Sequence, residues 1–359
     1  MITNLKLMNF RGIKEGELEL APLTILLGGN NSAKSTILEA LFLAPNPFRR
    51  VPYVVEGHSS AAEVIHSLHE TLNSKGYAFL LNNYTVDRAD IECEVEGKIY
   101  LLLFNKSGLD INVSTNRRDT GAIFTVTRGG VELKTHPIGH LVMSVSRITP
   151  EISDPFIDNT LLISSRLIKP GYEYLKMNWA SIINLGVCKS VAENVSKLVY
   201  DKYKDITIEP FLGGELAIYG FLDDGRRIRL GDLGEGVQNY VVAQILYELE
   251  HPKVLLWDDI EAHLNPRMLL SIAEWFFDIL EKGDQVIVTT HSLEAARTIA
   301  GVNEEKTAIY LTALEKGTLK TRQFTLQEIE EYLEAGIDAR VAEPILLSKQ
   351  IWKNFDRVI

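Results

Sequence analysis

Apolar and polar residues alternate from Ile2 to Leu7, the period of a half-buried strand. Glu17–Leu20 and Leu23–Leu27 predict two more strands. The second, LTILL, is continuously apolar, as a central strand covered on both faces would be. A glycine-rich turn follows, then a helical run over Ser35–Leu43 closed by Pro45 and Pro47. From about Tyr84 to Val145 the texture changes. Ile91–Val95, Ile99–Phe104, Ile111–Ser114, Ile123–Thr127 and Val131–Lys134 are short, β-branched and separated by Glu-Gly, Ser-Gly and Gly-Gly turns, which predicts an antiparallel meander. Asn178–Lys204 predicts one helix with an apolar stripe through Ile182, Ile183, Val187, Val191, Val195 and Leu198. Strand and helix then alternate: helix Val237–Glu250, strand Val254–Trp257, helix Met268–Glu281, strand Gln285–Thr289. Such alternation produces a parallel sheet. Neither an internal repeat nor a heptad run long enough for an extended coiled coil is evident.

Composition narrows the class without naming the chemistry. The 359 residues are 46% hydrophobic and 24% charged, ordinary for a globular protein with a large core. No stretch approaches the roughly 18 apolar residues of a membrane span, and Lys6, Arg11, Lys14 and Glu15 make the start unlike a secretory signal. A soluble cytoplasmic protein without a membrane partner is expected. Cys93 and Cys188 are the only cysteines, too few for a disulfide framework or a CxxC zinc pair. The net charge of −11 argues against a general electrostatic grip on nucleic acid but leaves a local basic groove open. Arg49-Arg50, Arg117-Arg118 and Arg226-Arg227 read most simply as solvated charge. His66 and His69 share one helical face, yet no third ligand accompanies them, and Arg166 in SSRLI reads as a salt-bridge residue.

Chemistry concentrates in four places. GGNNSAKST (Gly28, Gly29, Asn30, Asn31, Ser32, Ala33, Lys34, Ser35, Thr36) follows a buried strand and opens a helix, the setting of a phosphate-binding loop. Its glycines let backbone N–H groups turn inward, Lys34 brings positive charge to the outer phosphates, and the Ser35 hydroxyl is a Mg2+ ligand. Ala33 stands where the pattern has glycine, so its methyl restricts the backbone. KVLLWDDIEAHLNP is an apolar strand ending in Asp258, placed for Mg2+, and Asp259, placed to polarise the attacking water. Glutamate is usual at the second place; Glu261 is a weaker candidate base. VIVTTHS ends a further buried strand at His291, within reach of a γ-phosphate. LGDLGEGVQNY opens a helix at Gly234, Glu235 and Gly236, where backbone N–H groups face an anion.

These pieces, in this order, resemble the ABC-type ATPase heads of the RecF, structural-maintenance-of-chromosomes and OLD group. The resemblance begins at Leu5-x-x-x-Asn9-Phe10-Arg11-Gly12, runs through GGNNSAKST, DLGEGVQ, LLWDDIEAHLNP and VTTHS, and reaches LEAGIDAR (Leu333 to Arg340), similar to the tail of small standalone OLD-like ATPases. It implies an α/β fold of the P-loop NTPase kind: a mostly parallel core sheet flanked by helices, an antiparallel β-rich subdomain and a helical insert. The expected organisation is a single head: P-loop segment 1–45, β-rich insert 46–150, helical segment 151–205, signature, acidic-strand and His-loop segment 206–310, and C-terminal extension 311–359. The resemblance further implies ATP and Mg2+ as ligands, Lys34, Asp259 and His291 as catalytic, and Arg11 near the nucleotide. Asp232–Gln238 would act as the signature loop, closing on ATP held by a second copy, with Ala262–Pro266 as the interface D-loop. The function implied is a slowly hydrolysing ATPase that dimerises head-to-head on ATP. It would switch in DNA maintenance or defence against mobile elements, with DNA or a separate effector as further partner. A non-hydrolysing nucleotide sensor and a transporter's ATP-binding subunit are the competing readings. Against the second stand the long separation of Lys34 from Asp258 and the wording of the opening motif.

Overall fold

The computed structural model describes residues 1–44, 46–53, 60–72, 76–107, 110–117, 141–142, 157, 159–198, 201–262 and 264–337. Twelve strands form one sheet in the order β7-β6-β5-β4-β1-β2-β15-β14-β3-β13-β12-β8. Five of them make the parallel core: β14 (Thr307–Glu315), β3 (Leu23–Leu27), β13 (Gln285–Thr290), β12 (Val254–Trp257) and β8 (Thr160–Ile163). All residues of β3, β13, β12 and β8 are buried, as their continuous apolar runs require once helices cover both faces. Helix α1 (Lys34–Leu43) lies over β8, β12 and β13, while α7 (Pro266–Glu281) packs from the other side. The Trp257 ring meets Trp275 and Phe276 of α7, whereas the next residue, Asp258, turns toward Ser35 on α1.

The predicted antiparallel meander extends this same sheet. β4 (Arg88–Val95), β5 (Lys98–Ser107) and β6 (Asp110–Arg117) pair in antiparallel register, and β4 pairs with β1 (Ile2–Phe10), which pairs with β2 (Ile13–Glu19). β7 (Leu141–Val142) adds to the edge. The predicted strands at 123–127 and 131–134, Pro45, Arg118, and residues 338–340 of LEAGIDAR lie outside the described residues. The two halves of the sheet meet where β2 touches β15 (Thr318–Phe324). A Cβ at Gly16 would sit 2.6 Å from Leu319 Cβ, so this seam tolerates only glycine there.

The helical segment corrects one expectation. Asn178–Lys204 is not one helix: α3 (Ile168–Met177) precedes it, α4 (Trp179–Leu185) ends at Gly186 with φ 72°, and α5 (Val187–Leu198) starts anew. Ile183 consequently faces solvent rather than joining the apolar stripe. Tyr203 and Lys204 open β9 (Tyr203–Pro210), which with β10 (Leu216–Leu222) and β11 (Arg227–Arg229) forms a separate antiparallel sheet packed on α5. α6 (Glu235–Glu250) runs from this sheet back under α3 and β8. The remaining described helices are α2 (Ala61–His69), α8 (Leu293–Ala300) and α9 (Leu326–Glu334).

Candidate functional site

β3 delivers the chain at Leu27 to the carboxyl end of the parallel core, between β13 and β14. There the backbone is tightly held. A Cβ at Gly28 would lie 2.5 Å from the Thr312 carbonyl oxygen and 2.7 Å from Ser32 Oγ, so no other residue fits. Thr312 is fully buried on β14, donates to the Leu27 carbonyl at 3.2 Å and lies 3.3 Å from Ser32 Oγ. Asn31 (φ 64°) and Ala33 (φ 73°, ψ 6°) are both left-handed, which turns the chain into α1. Ala33 therefore adopts the glycine-like conformation despite its methyl, at a cost of about 1 kcal/mol. No side chain caps the first turn of α1 at Ala33, so its N–H donors are available to an anion. Asn30 and Asn31 are exposed, Gly29, Ser35 and Thr36 half-buried.

Lys34 is buried, and its Nζ donates to the carbonyls of Gly28 (3.0 Å) and Gly29 (2.8 Å) and approaches His291 Nδ1 at 3.4 Å. An ammonium only donates, so Nδ1 accepts and the ring proton resides on Nε2. That Nε2 lies 3.2 Å from Asp259 Oδ1, an ion-pair contact that sets Lys34, His291 and Asp259 in one row. Asp259 itself takes φ 50° and leaves its side chain 51% exposed. Glu261 accepts from the His291 backbone N–H. Asp258 accepts at the same Oδ1 from Ser35 Oγ (3.0 Å) and Thr289 Oγ1 (2.7 Å). Burial pushes the Asp258 carboxyl above its ordinary value; Asp259 adds to the rise, while the two hydroxyls and Lys34 oppose it. A carboxylate and a hydroxyl 3.0 Å apart, disfavoured in charged form until a cation arrives, fit the hard-oxygen coordination of Mg2+.

Arg11 sits in a second cluster. It takes φ 52° at the β1–β2 turn and forms an ion pair with Glu39, buried one turn beyond Ser35 on α1. His69 accepts from Arg11 at Nδ1 (3.4 Å) and donates to Glu39 from Nε2 (2.8 Å). Burial, with Arg11 and Arg166 nearby, lowers its pKa to about 4, so the ring is neutral. Burial likewise lowers the Arg11 pKa to about 10, with Tyr84 and Asp258 opposing. Arg166 donates to the Leu68 carbonyl and forms no salt bridge among the described residues. His66 packs against Tyr77 and Phe79, and no cluster of three or more metal-ligating side chains occurs among the described residues.

Residues 1–118 match a family model described as "AAA ATPase domain", and residues 140–296 one described as "AAA domain, putative AbiEii toxin, Type IV TA system". The fold matches a crystal structure of the SmcHead bound to the C-winged helix domain of ScpA, at TM-score 0.56 and 15% identity over 92% of this chain and 99% of that one. It also matches the Smc head domain with an extended coiled coil bound to the C-terminal domain of ScpA derived from Pyrococcus furiosus, at TM-score 0.50 and 12% identity over 93% and 98%. The fold is that of the Smc heads, and the two ATPase-domain models each match part of the chain. A curated relative, the ABC transporter ATP-binding protein ARB1 of Saccharomyces cerevisiae, is 32% identical over 122 residues, 33% of this chain and only 19% of that protein.

The expected signature loop, Asp232–Gln238, lies on the side of α3 and β10. Arg229 grips Asp232 through two bonds of 2.7 and 2.6 Å, and Gln238 donates to the Leu233 carbonyl at 2.7 Å while accepting from Tyr172 at 2.9 Å. Gly234 and Glu235 are exposed; Gly236 is buried in the first turn of α6. Glu235 sits at the positive end of that helix, which favours its charge. Thr289, Thr312, Glu39 and His69 escape sequence reasoning as parts of this region. Each meets its partner across a long stretch of chain, and a threonine on a strand or a histidine ending a helix carries no local signal. No helix among the described residues is long and apolar enough to cross a membrane.

Proposed function

We propose that the head binds ATP with Mg2+ at Gly28–Thr36, hydrolyses it slowly, and dimerises head-to-head on the nucleotide. The observation that carries this reading is the convergence of Lys34, Ser35, Asp258, Asp259 and His291 at the carboxyl ends of β3, β12 and β13. Lys34 exchanges its own loop's carbonyls for phosphate oxygens, and the first-turn N–H groups of α1 complete the cradle. Ser35 and Asp258 would hold Mg2+, which would neutralise phosphate charge. Asp259 orients and deprotonates the attacking water, with His291 Nε2 3.2 Å from its carboxylate. The aspartate is one methylene shorter than the usual glutamate, and its commitment to His291 limits its reach, which supports slow turnover.

The outward-facing Gly234 and Glu235 suit a second copy's nucleotide rather than this chain's own. A switch in DNA maintenance or in defence against mobile elements follows, with a separate protein or DNA reading the dimer state. The Smc heads solved with ScpA domains support a protein partner of this kind. The exposed, left-handed Asp259 also favours a second reading, a nucleotide sensor that binds and dimerises without turnover.

ATP hydrolysis and ATP-dependent dimerisation, measured together on the wild type, Lys34→Ala and Asp259→Asn with and without DNA, decide between these. The switch predicts turnover by the wild type, ATP binding weakened about 100-fold by Lys34→Ala and a trapped dimer for Asp259→Asn; stimulation by DNA would identify DNA as a partner. Dimerisation without turnover would establish the sensor. A wild type that binds no ATP would overturn both.

A further inference from the structure

Thr312 lies within β14, fully buried between Leu311 and Ala313. Valine has nearly the same shape and would bury there without a polar cost, so a hydroxyl at this position needs partners. It has two, and both lie at the phosphate loop. Thr312 Oγ1 is 3.2 Å from the Leu27 carbonyl, where β3 ends, and 3.3 Å from Ser32 Oγ, inside the loop. Gly28 leaves this approach open, since a Cβ there would stand 3.0 Å from Thr312 Oγ1.

Each hydroxyl has a single hydrogen to give, and one arrangement serves every group. Thr312 gives its hydrogen to the Leu27 carbonyl, which only accepts. Ser32 gives its own to Thr312 Oγ1. Lys34 Nζ, which only donates, reaches the free side of Ser32 Oγ at 3.4 Å. The result is a directed relay from Lys34 through Ser32 and Thr312 to the end of β3. Ser32 is itself buried, so removal of the Thr312 oxygen would leave its hydroxyl without the acceptor that sets its direction.

We propose that Thr312 is a positioning residue of the phosphate loop: from β14 it aims the Ser32 hydroxyl at Lys34 and holds the loop in the shape that receives phosphates. The Ser32 lone pair steadies the ammonium beside the carbonyls of Gly28 and Gly29. When phosphate oxygens replace those contacts, Ser32 stays tied to β14 and the loop keeps its form. A loop ordered in advance loses less freedom on binding, which favours affinity. Thr312 acts through Ser32 and touches no ligand. The inference rests on the reading of Gly28–Thr36 as a nucleotide site.

The test uses the full chain and ADP in calorimetric titration, with thermal melts to establish that each variant is folded. Thr312→Val should weaken ADP binding about 10-fold, the loss of one hydrogen bond. Thr312→Ser, which keeps the hydroxyl, should stay within about 3-fold of wild type. Thr312→Ala against Thr312→Ser repeats the comparison in a smaller side chain, should the valine variant fail to fold. Ser32→Ala and the double variant Ser32→Ala with Thr312→Val should bind ADP equally, because the threonine works through the serine. A threonine that only supports the strand would make the double variant weaker again. Equal ADP affinity in wild type and Thr312→Val would overturn the assignment, and so would additive losses in the double variant. If Lys34→Ala loses ADP while Thr312→Val keeps it, the nucleotide site stands and only Thr312 is wrongly placed. A wild type that binds no ADP would remove the underlying site, and the proposal with it.

Discussion

The phosphate loop and the signature loop both carry glycines at the start of a helix, and they are finished in opposite ways. Gly28 is crowded by its own chain: Thr312 and Ser32 occupy the space of any side chain. Gly234 is not. A Cβ there would meet nothing within 4 Å, and its φ of −58° suits any residue. The first glycine is explained by the fold of a single copy; nothing among the described residues crowds the second. The surrounding bonds agree. Lys34, Ser35 and Asp258 tie the phosphate loop to strands β12 and β13, whereas the signature loop is braced from behind by Arg229 and Tyr172, with Gly231, Asp232, Gly234 and Glu235 exposed. This contrast supports a nucleotide site of which one chain supplies half.

The sharpest way to break the comparison is Lys34→Ala. Loss of charged hydrogen bonds of roughly 3 kcal/mol should lower ATP affinity about 100-fold, read by nucleotide titration; unchanged affinity would mean that the loop is not the phosphate grip. Next come the two glycines. Gly28→Ala should destabilise the protein by about 2 kcal/mol through overpacking in chemical denaturation. Gly234→Ala should stay within about 1 kcal/mol of wild type and retain single-copy ATP binding while ATP-dependent dimers are lost. If Gly234→Ala unfolds the chain and Gly28→Ala does not, the contrast is inverted.

Asp258 offers a smaller, signed effect. Its raised pKa means that the folded state binds more protons than the unfolded one between the ordinary carboxylate value and the folded value. Stability of the metal-free protein should therefore fall as pH rises through that window. Asp258→Asn keeps an acceptor for Ser35 and Thr289 and removes the charge. It should raise stability at pH 7 by about 1 kcal/mol and flatten this pH dependence, as thermal melts in EDTA would show. The smallest effect is Ala33→Gly. Release of left-handed strain, about 1 kcal/mol, is opposed by a more flexible unfolded chain, so a net gain of about 0.5 kcal/mol in the denaturation midpoint is expected.

Much of the proposed nucleotide site could be read because parallel strands write their burial plainly. LTILL, VLLW and QVIVTT are fully buried and mostly apolar runs, and each is followed by residues that converge in space: Gly28–Thr36, Asp258–Asp259 and His291. The helical segment was less legible. Val187, Val191 and Val195 keep the helical period, which hides the left-handed Gly186 that splits the run. Sequence period also says nothing about which edge a hairpin joins, so the pairing of β4 with β1, fusing the meander to the core sheet, could not be read. The Arg11–Glu39–His69 cluster and the hydroxyls around Asp258 were invisible for a related reason. They depend on three or four distant segments arriving at one point.

The sheet order also sets a timetable. β3, which carries the phosphate loop, hydrogen-bonds on one side to β13 and on the other to β14, strands that begin at Gln285 and Thr307. A chain growing on the ribosome thus makes its phosphate loop long before the two strands that flank it, β13 and β14. Contacts of such long sequence separation form slowly. Until those strands exist, LTILL is an exposed apolar strand in need of cover.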